Sequence, residues 1–403
     1  MDAMSGPLAE LKVVEMGTLI AGPFCARVLA EFGADVVKIE SPDGGDPLRQ
    51  WRKLYEGTSA WWFVQARNKK SVAVNLRMRE GQEIVRKLVR DADIVVENFR
   101  PGALEKWGLG WDVLSAENPR LVMVRLSGYG QTGPYRDRPG FGAIGESMGG
   151  LRHLTGFPDR APCRVGVSIG DSIAALYGVI GALLAIHHRE KSGRGQMVDV
   201  ALYEAVFSLM ESLLPEYYLF DFVRQRSGAS LPGIVPSSTY PTRDGKYVVI
   251  GANSDSIFKR MMTAIERHDL ASDRKLATNA GRVARTEEID SAIGEWTSRN
   301  DLDQILGVLE KAEVPAGKIY DIADIVKDAH YQARAMIGEH KLGDGRSIKL
   351  PGIVPKMSET PGDTRWIGPK LGEHTIEVLV GLGYDAAALE TLAKQGVIHA
   401  GKR

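Results

Sequence analysis

The chain has no excess of charge of either sign. Its 403 residues carry 51 Lys plus Arg and 51 Asp plus Glu, a balance that offers no electrostatic handle for nucleic acid or an anionic membrane. Cysteine is scarce: Cys25 and Cys163 form no C-x-x-C pair and no disulfide framework. No set of metal ligands is expected. The opening MDAMSGPLAELKVVEMG lacks a basic region followed by an apolar core, so no secretory signal is expected. Internal repeats and low-complexity tracts are also missing. These absences leave a cytoplasmic enzyme or binding protein without membrane or nucleic-acid partners as the expectation.

What is present alternates. LKVVE at 11–15 reads as a strand, GTLIAGP as a glycine turn, Phe24 to Phe32 as a helix and Ala34 to Ile39 as a second strand. Further strands are expected at Ser71–Leu76, Asp93–Glu97 and Leu121–Leu126, with an amphipathic helix at Glu80–Val89. Such alternation predicts an α/β domain with a doubly wound parallel sheet. Gly17 and Gly22 fit neither G-x-G-x-x-G nor the phosphate loop, where Pro23 stands in place of lysine. Glu40 mimics the ribose-binding acid of dinucleotide folds, but without three glycines it does not carry NAD.

The apolar run Ile173–Ile186 is rich in small residues and shorter than the roughly 20 residues of a membrane span, so a buried helix is predicted. Asp171 stands at its start behind Gly170, where free N–H groups and the dipole favour a carboxylate; from local sequence a plain N-cap is the simpler reading. The texture changes near Arg224–Gly228. A hairpin around Arg243-Asp244-Gly245 and several helical periods follow, then a proline-rich tail with Pro351, Pro355, Pro361 and Pro369.

Six ordered segments resemble the family III CoA-transferases, the superfamily of formyl-CoA transferase and α-methylacyl-CoA racemase. They are AGPFCARVLAEFGADVVKIE, ENFRPGALEKWGL, SGYGQTGPYRDRPGF, GDSIAALYG, GRGQMVDVALYEA and LGEHTIEVL. The resemblance implies a large Rossmann-like domain (1–224) that binds CoA and carries catalysis, a small α+β domain (225–330) and a C-terminal segment (331–403) returning to the large one. It also implies an interlocked homodimer. Acyl-CoA is then a substrate, with coenzyme A exchanged and no tightly bound cofactor.

By the same resemblance Asp171 is the nucleophile. Its carboxylate would attack the donor thioester to give a mixed anhydride, and the CoA thiolate would return to form an aspartyl-CoA thioester open to the acceptor carboxylate. Leu19, Ile20, Lys38, Ser41, Val74, Asn98, Arg100, Lys106 and Trp107 carry over as CoA-binding residues. Ser41 replaces an arginine of formyl-CoA transferase, and Arg49 or Arg100 are candidates to supply the missing charge. Phe141 matches an active-site aromatic, while Gly142 stands where the transferases often have an acid. Glu146 is the nearest acid, a candidate acid–base or orienting group, set against an exposed glutamate on a helix turn. Arg164 is a candidate to bind a distal substrate carboxylate.

The alternative, 2-methylacyl-CoA racemization, needs a histidine in the stretch Pro139–Gly149. None occurs before His153. No run of consecutive glycines supports oxalate as the acceptor, and the segment LPGIVPSSTYPTRDGKYVVIGANSD looks more like members that move CoA from succinyl-CoA to dicarboxylates.

Overall fold

The computed structural model describes residues 6–401. The chain packs as two compact units: one takes the residues up to Arg152, Val165–Phe222 and Ala333 onward, the other His153–Arg164 and Val223–Gln332.

The first unit is built on a seven-stranded sheet. Its spatial order is Ile398–His399, Lys69–Val74, Asp35–Glu40, Lys12–Glu15, Ile94–Glu97, Val122–Ser127 and Met197–Ala201. The last six in that order are parallel, and the C-terminal strand alone pairs antiparallel, Ile398 opposite Val74. The β-branched runs VVE, DVVKIE and IVVE make strands buried on both faces, as a sheet covered by helices on each side requires. One face packs Val13, Val36, Val96 and Val124 against the helices Ala21–Glu31 and Ile169–Ser192. The other packs Val14, Val37, Val72 and Val95 against Arg79–Arg90 and the C-terminal helices Thr375–Gly381 and Ala386–Lys394. Strand order reverses between Lys12–Glu15 and Ile94–Glu97. Ligands of doubly wound sheets bind outside the carboxyl ends at such a reversal.

The helix Ile169–Ser192 has 24 residues, long and apolar enough by length and composition to cross a membrane. The expectation of a short, wholly buried helix is corrected. Ala174, Ala175, Gly178, Ala182 and Ala185 are core, but Leu176, Ile180 and Leu184 are 47, 51 and 64% exposed. The sheet covers one side of the helix, and the small residues mark that side.

The second unit has an antiparallel sheet of Ala316–Lys318, Tyr247–Gly251 and Ser237–Pro241. Phe258, Met261, Ile289, Ile293, Ile305 and Leu309 from three helices bury one core with it. Residues 153–164 belong here rather than to the first unit: Gly228 N–H donates to the Gly156 carbonyl at 3.0 Å, and Arg226 donates to the carbonyls of Phe157 and His153.

Candidate active site

The first glycine turn opens at the reversal point. Asn98, just past its strand, locks the turn from both sides. Its Nδ2 donates to the Thr18 carbonyl at 2.9 Å and its Oδ1 accepts from Thr18 N–H at 2.8 Å. A Cβ on Gly17 would stand 3.0 Å from that Oδ1 and 3.1 Å from Gly22 Cα, so the pair of glycines lets the chain fold back tightly. Leu19 holds φ of 64°, a conformation side chains rarely take. Its N–H donates to Asp46 at 3.0 Å.

Beneath the turn lies a buried ionic cluster. Lys38 Nζ reaches Glu15 at 2.7 Å, Asp46 at 2.9 Å and the Gly17 carbonyl at 2.8 Å. Lys69 meets the other Glu15 oxygen at 2.7 Å, and Arg49 pairs with both oxygens of Glu40 at 2.8 Å. Three cations face three anions, so the cluster is neutral and tolerable away from water. Burial works against the Lys38 ammonium, yet Asp46 and Glu15 hold its pKa above the ordinary lysine value. Lys69 has less compensation, and burial brings it down to about 8. Burial likewise opposes the Glu40 charge, but Arg49 and Lys38 keep its pKa below the usual range.

A cleft of about 460 Å³ opens above this floor, walled by Gly17, Lys38, Ser41, Val74, Arg77, Phe99 and Trp107 among others. Phe99 and Trp107 meet edge to face at 5.3 Å, an apolar wall fit for a flat ring. Of the residues expected to bind CoA, Lys38, Ser41, Val74 and Trp107 come together here. Lys38 does so with its charge already spent inside the protein. Asn98 serves through the turn, and Leu19, Ile20, Arg100 and Lys106 lie outside the cleft wall. Arg49 is no replacement for the charge lost at Ser41: it is buried, bound to Glu40 and stacked 3.8 Å over Trp62. Among the described residues the free cation on this wall is Arg77, exposed at the carboxyl end of Lys69–Val74, which sequence reasoning passed over. Its position after a strand end was the available signal.

Glu97 braces the same wall from behind. It accepts from Phe99 N–H and from Arg125 Nε, both at 2.7 Å, and Arg125 also pairs with Glu105. Burial pushes the Glu97 carboxyl up to about 7 despite Arg125.

Asp171 is half-buried in the first turn of Ile169–Ser192. It is not the cap. Ser168 holds that position, and Asp171 is the third helical residue. Its carboxylate lies directly on Gly142, the first residue of the helix Gly142–Met148: a Cβ built on Gly142 would fall 2.0 Å from Oδ2 and 2.6 Å from Cγ. The acid missing at position 142 therefore leaves the room in which the Asp171 carboxylate sits. Glu146, one turn on, is 1% exposed and no surface glutamate. Its Oε1 stands 3.5 Å from Gly170 N–H and its Oε2 3.4 Å from Arg152 Nη2, so it grips the helix start from behind the aspartate. Phe141 is 69% exposed, next to Gly142 in sequence. Arg164 belongs to the second unit.

Residues 8–375 match the family described as CoA-transferase family III. The succinyl-CoA–D-citramalate CoA-transferase of Chloroflexus aurantiacus is 50% identical over 95% of this chain and 96% of its own. The beta subunit of the succinyl-CoA–L-malate CoA-transferase of the same organism is 45% identical over 93% of each. Among solved structures, a CAIB/BAIF family protein from Brucella suis superimposes with a TM-score of 0.83 at 35% identity, covering 94% of this chain and 100% of that one. The chain belongs to CoA-transferase family III and is an enzyme that transfers CoA between an acyl-CoA and an acid.

Proposed function

We propose that this family III enzyme moves CoA from succinyl-CoA to a dicarboxylic acid through a covalent intermediate on Asp171. The observation that carries the reading is the seat of the Asp171 carboxylate. It stands in the first turn of a long helix and at the first residue of a second one, where the helix-start N–H groups and both dipoles favour negative charge. Attack on the thioester carbonyl forms the acyl–oxygen bond and breaks the carbon–sulfur bond, releasing CoA thiolate. The thiolate attacks the Asp171 carbonyl of the mixed anhydride, frees succinate and leaves an aspartyl-CoA thioester. The acceptor carboxylate then repeats the sequence in reverse.

Glu146 orients the nucleophile's helix through Gly170 in this reading. CoA lies along the cleft under Phe99 and Trp107, with Arg77 toward its phosphates and Arg100 and Lys106 outside as further cations. Relatives at 50 and 45% identity, named for succinyl-CoA with citramalate and malate, support the donor and acceptor class. Phe141 covers the acyl group, and Arg164 remains a candidate for the acceptor's far carboxylate. The protein works in the cytoplasm as an interlocked homodimer whose partner covers Leu176, Ile180 and Leu184.

The test is trapping. Succinyl-CoA with hydroxylamine should yield a hydroxamate on Asp171, mapped by peptide mass spectrometry and lost in Asp171→Asn. Deuterium uptake at an acyl α-carbon with no adduct on any acyl-CoA would return the protein to racemization.

A further inference from the structure

A second cavity of the first unit, of about 470 Å³, is lined by Arg52, Lys53, Ala60, Trp61, Val167 and Ser168. Ser168 occupies the N-cap position of the helix whose first turn carries Asp171, so this cavity abuts the nucleophile's helix start. Its other wall is cationic. Arg52 and Lys53 are exposed and, among the described residues, neither pairs with a carboxylate.

The Arg52 side chain and the Lys53 backbone are held in place. Arg52 sits over Trp61 at 4.7 Å from the ring centroid, and Trp51 flanks that ring at 6.3 Å. The Lys53 carbonyl accepts from Ala60 N–H at 2.9 Å, closing the short hairpin Leu54–Tyr55 with Thr58–Ser59. Arg52 has φ of 61°, a left-handed backbone for a branched-out side chain. Such conformations persist where the surroundings over-determine them, and they gather at binding sites.

We infer that this cavity reads the distal carboxylate of the acyl group, with Arg52 and Lys53 as the residues that make the enzyme specific for dicarboxylates. The inference rests on the transferase reading of Asp171 and adds the residues that select its substrate. The reach fits. In a succinyl thioester the far carboxyl carbon is three carbon–carbon bonds of about 1.5 Å from the reacting carbon, about 4 Å when extended. Three residues, about 4.5 Å of helix rise, separate the Ser168 end of the cavity from the Asp171 level. A guanidinium takes a carboxylate through two parallel N–H donors, and the Lys53 ammonium adds a point charge. An acyl chain ending in a methyl group would leave both cations without that partner.

The measurement is the single-turnover rate of CoA release from succinyl-CoA and from butyryl-CoA, with hydroxylamine trapping the enzyme-bound intermediate. Arg52→Gly, which removes the cation while easing the left-handed backbone, and Lys53→Ala should each lower the apparent second-order rate constant of that release for succinyl-CoA about 10- to 100-fold. Butyryl-CoA should be spared, so the preference for the dicarboxylyl donor collapses, and Arg52→Lys should recover part of it. Equal losses on both donors, or none on either, would overturn the inference. Calorimetric titration of the unmodified and doubly substituted enzymes with succinate and butyrate separates this failure from that of the transferase reading. If the unmodified enzyme releases CoA from neither donor, the transferase reading has failed. Succinate binding weakened at least about tenfold by the double substitution, with butyrate unaffected, then still supports the carboxylate-reading role, and unchanged succinate binding refutes it.

Discussion

Adding one methyl group at Gly142 should separate catalysis from folding. Gly142 opens the helix Gly142–Met148, and its φ lies outside the left-handed region, so alanine is an ordinary residue for that backbone. Glycine to alanine within a helix is worth about 0.5–1 kcal/mol in favour of the fold. Against this, the new Cβ would stand 2.0 Å from Asp171 Oδ2, where real Cβ contacts do not fall below 3.0 Å. The carboxylate must therefore move by about 1 Å or turn to another rotamer, at a cost of about 0.5–1.5 kcal/mol. The two effects nearly cancel in stability. They do not cancel in rate, because a misplacement of about 1 Å costs roughly 100-fold, or about 2.7 kcal/mol of barrier. Gly142→Ala should thus keep its thermal midpoint within a few degrees while the single-turnover release of CoA from succinyl-CoA slows by about two orders of magnitude. A rate within about threefold of the unmodified enzyme would refute the placement of Asp171 on Gly142.

Lys38→Met would leave Asp46 and one oxygen of Glu15 buried without their cation; a loss of about 3–5 kcal/mol in urea unfolding is expected, with weakened CoA binding as the turn loosens. A mild surface-like effect would contradict the buried cluster. Glu146→Gln keeps an acceptor for Gly170 N–H and should retain most activity, whereas Glu146→Ala should lose about 10- to 100-fold; equal damage from both would instead make Glu146 a proton carrier. Glu97 binds its proton more tightly folded than unfolded, with the folded pKa near 7. Its contribution to stability is therefore full below about pH 4 and lost as the pH rises through 7, about 3 kcal/mol in all. Urea midpoints of Glu97→Gln should fall less than those of the unmodified protein between about pH 5 and pH 8, and parallel curves would refute the shift.

Periodicity carried the large unit well. Strands, glycine turn and crossover helices followed from runs such as KVVE and DVVKIE, whose apolar character on both faces leaves no other arrangement. The site was legible as segments rather than as contacts. Arg49, nine residues after Glu40, looks free in a linear text, and only folding brings the two carboxylate oxygens onto its guanidinium. Glu146 follows Gly145 and reads as surface; its burial depends on Gly170, 24 residues on, as well as on the nearer Arg152. Leu184 and Ile180 fell inside one apolar run with Ala182, and periodicity could not say which side the sheet would leave uncovered. Gly142 is the plainest case. An absent acid looked like a lost group, whereas it is the space a carboxylate fills.

The antiparallel strand Ile398–His399 has a consequence for biosynthesis. It closes the sheet edge against Ala73 and Val74, and nearby His374 and Thr375 accept the backbone N–H groups of Ser71 and Ala73. A ribosome adding about 5–20 residues per second finishes Lys69–Val74 tens of seconds before these partners exist. For that interval the nascent chain carries an open, β-branched edge of the kind that recruits other strands. The second unit, drawn mostly from the unbroken stretch Val223–Gln332, has all but its short 153–164 segment in hand as one run and is free to fold in the meantime. Maturation of the seven-stranded sheet is therefore the slow, final event, and molecules stalled late in translation are the ones a chaperone should hold.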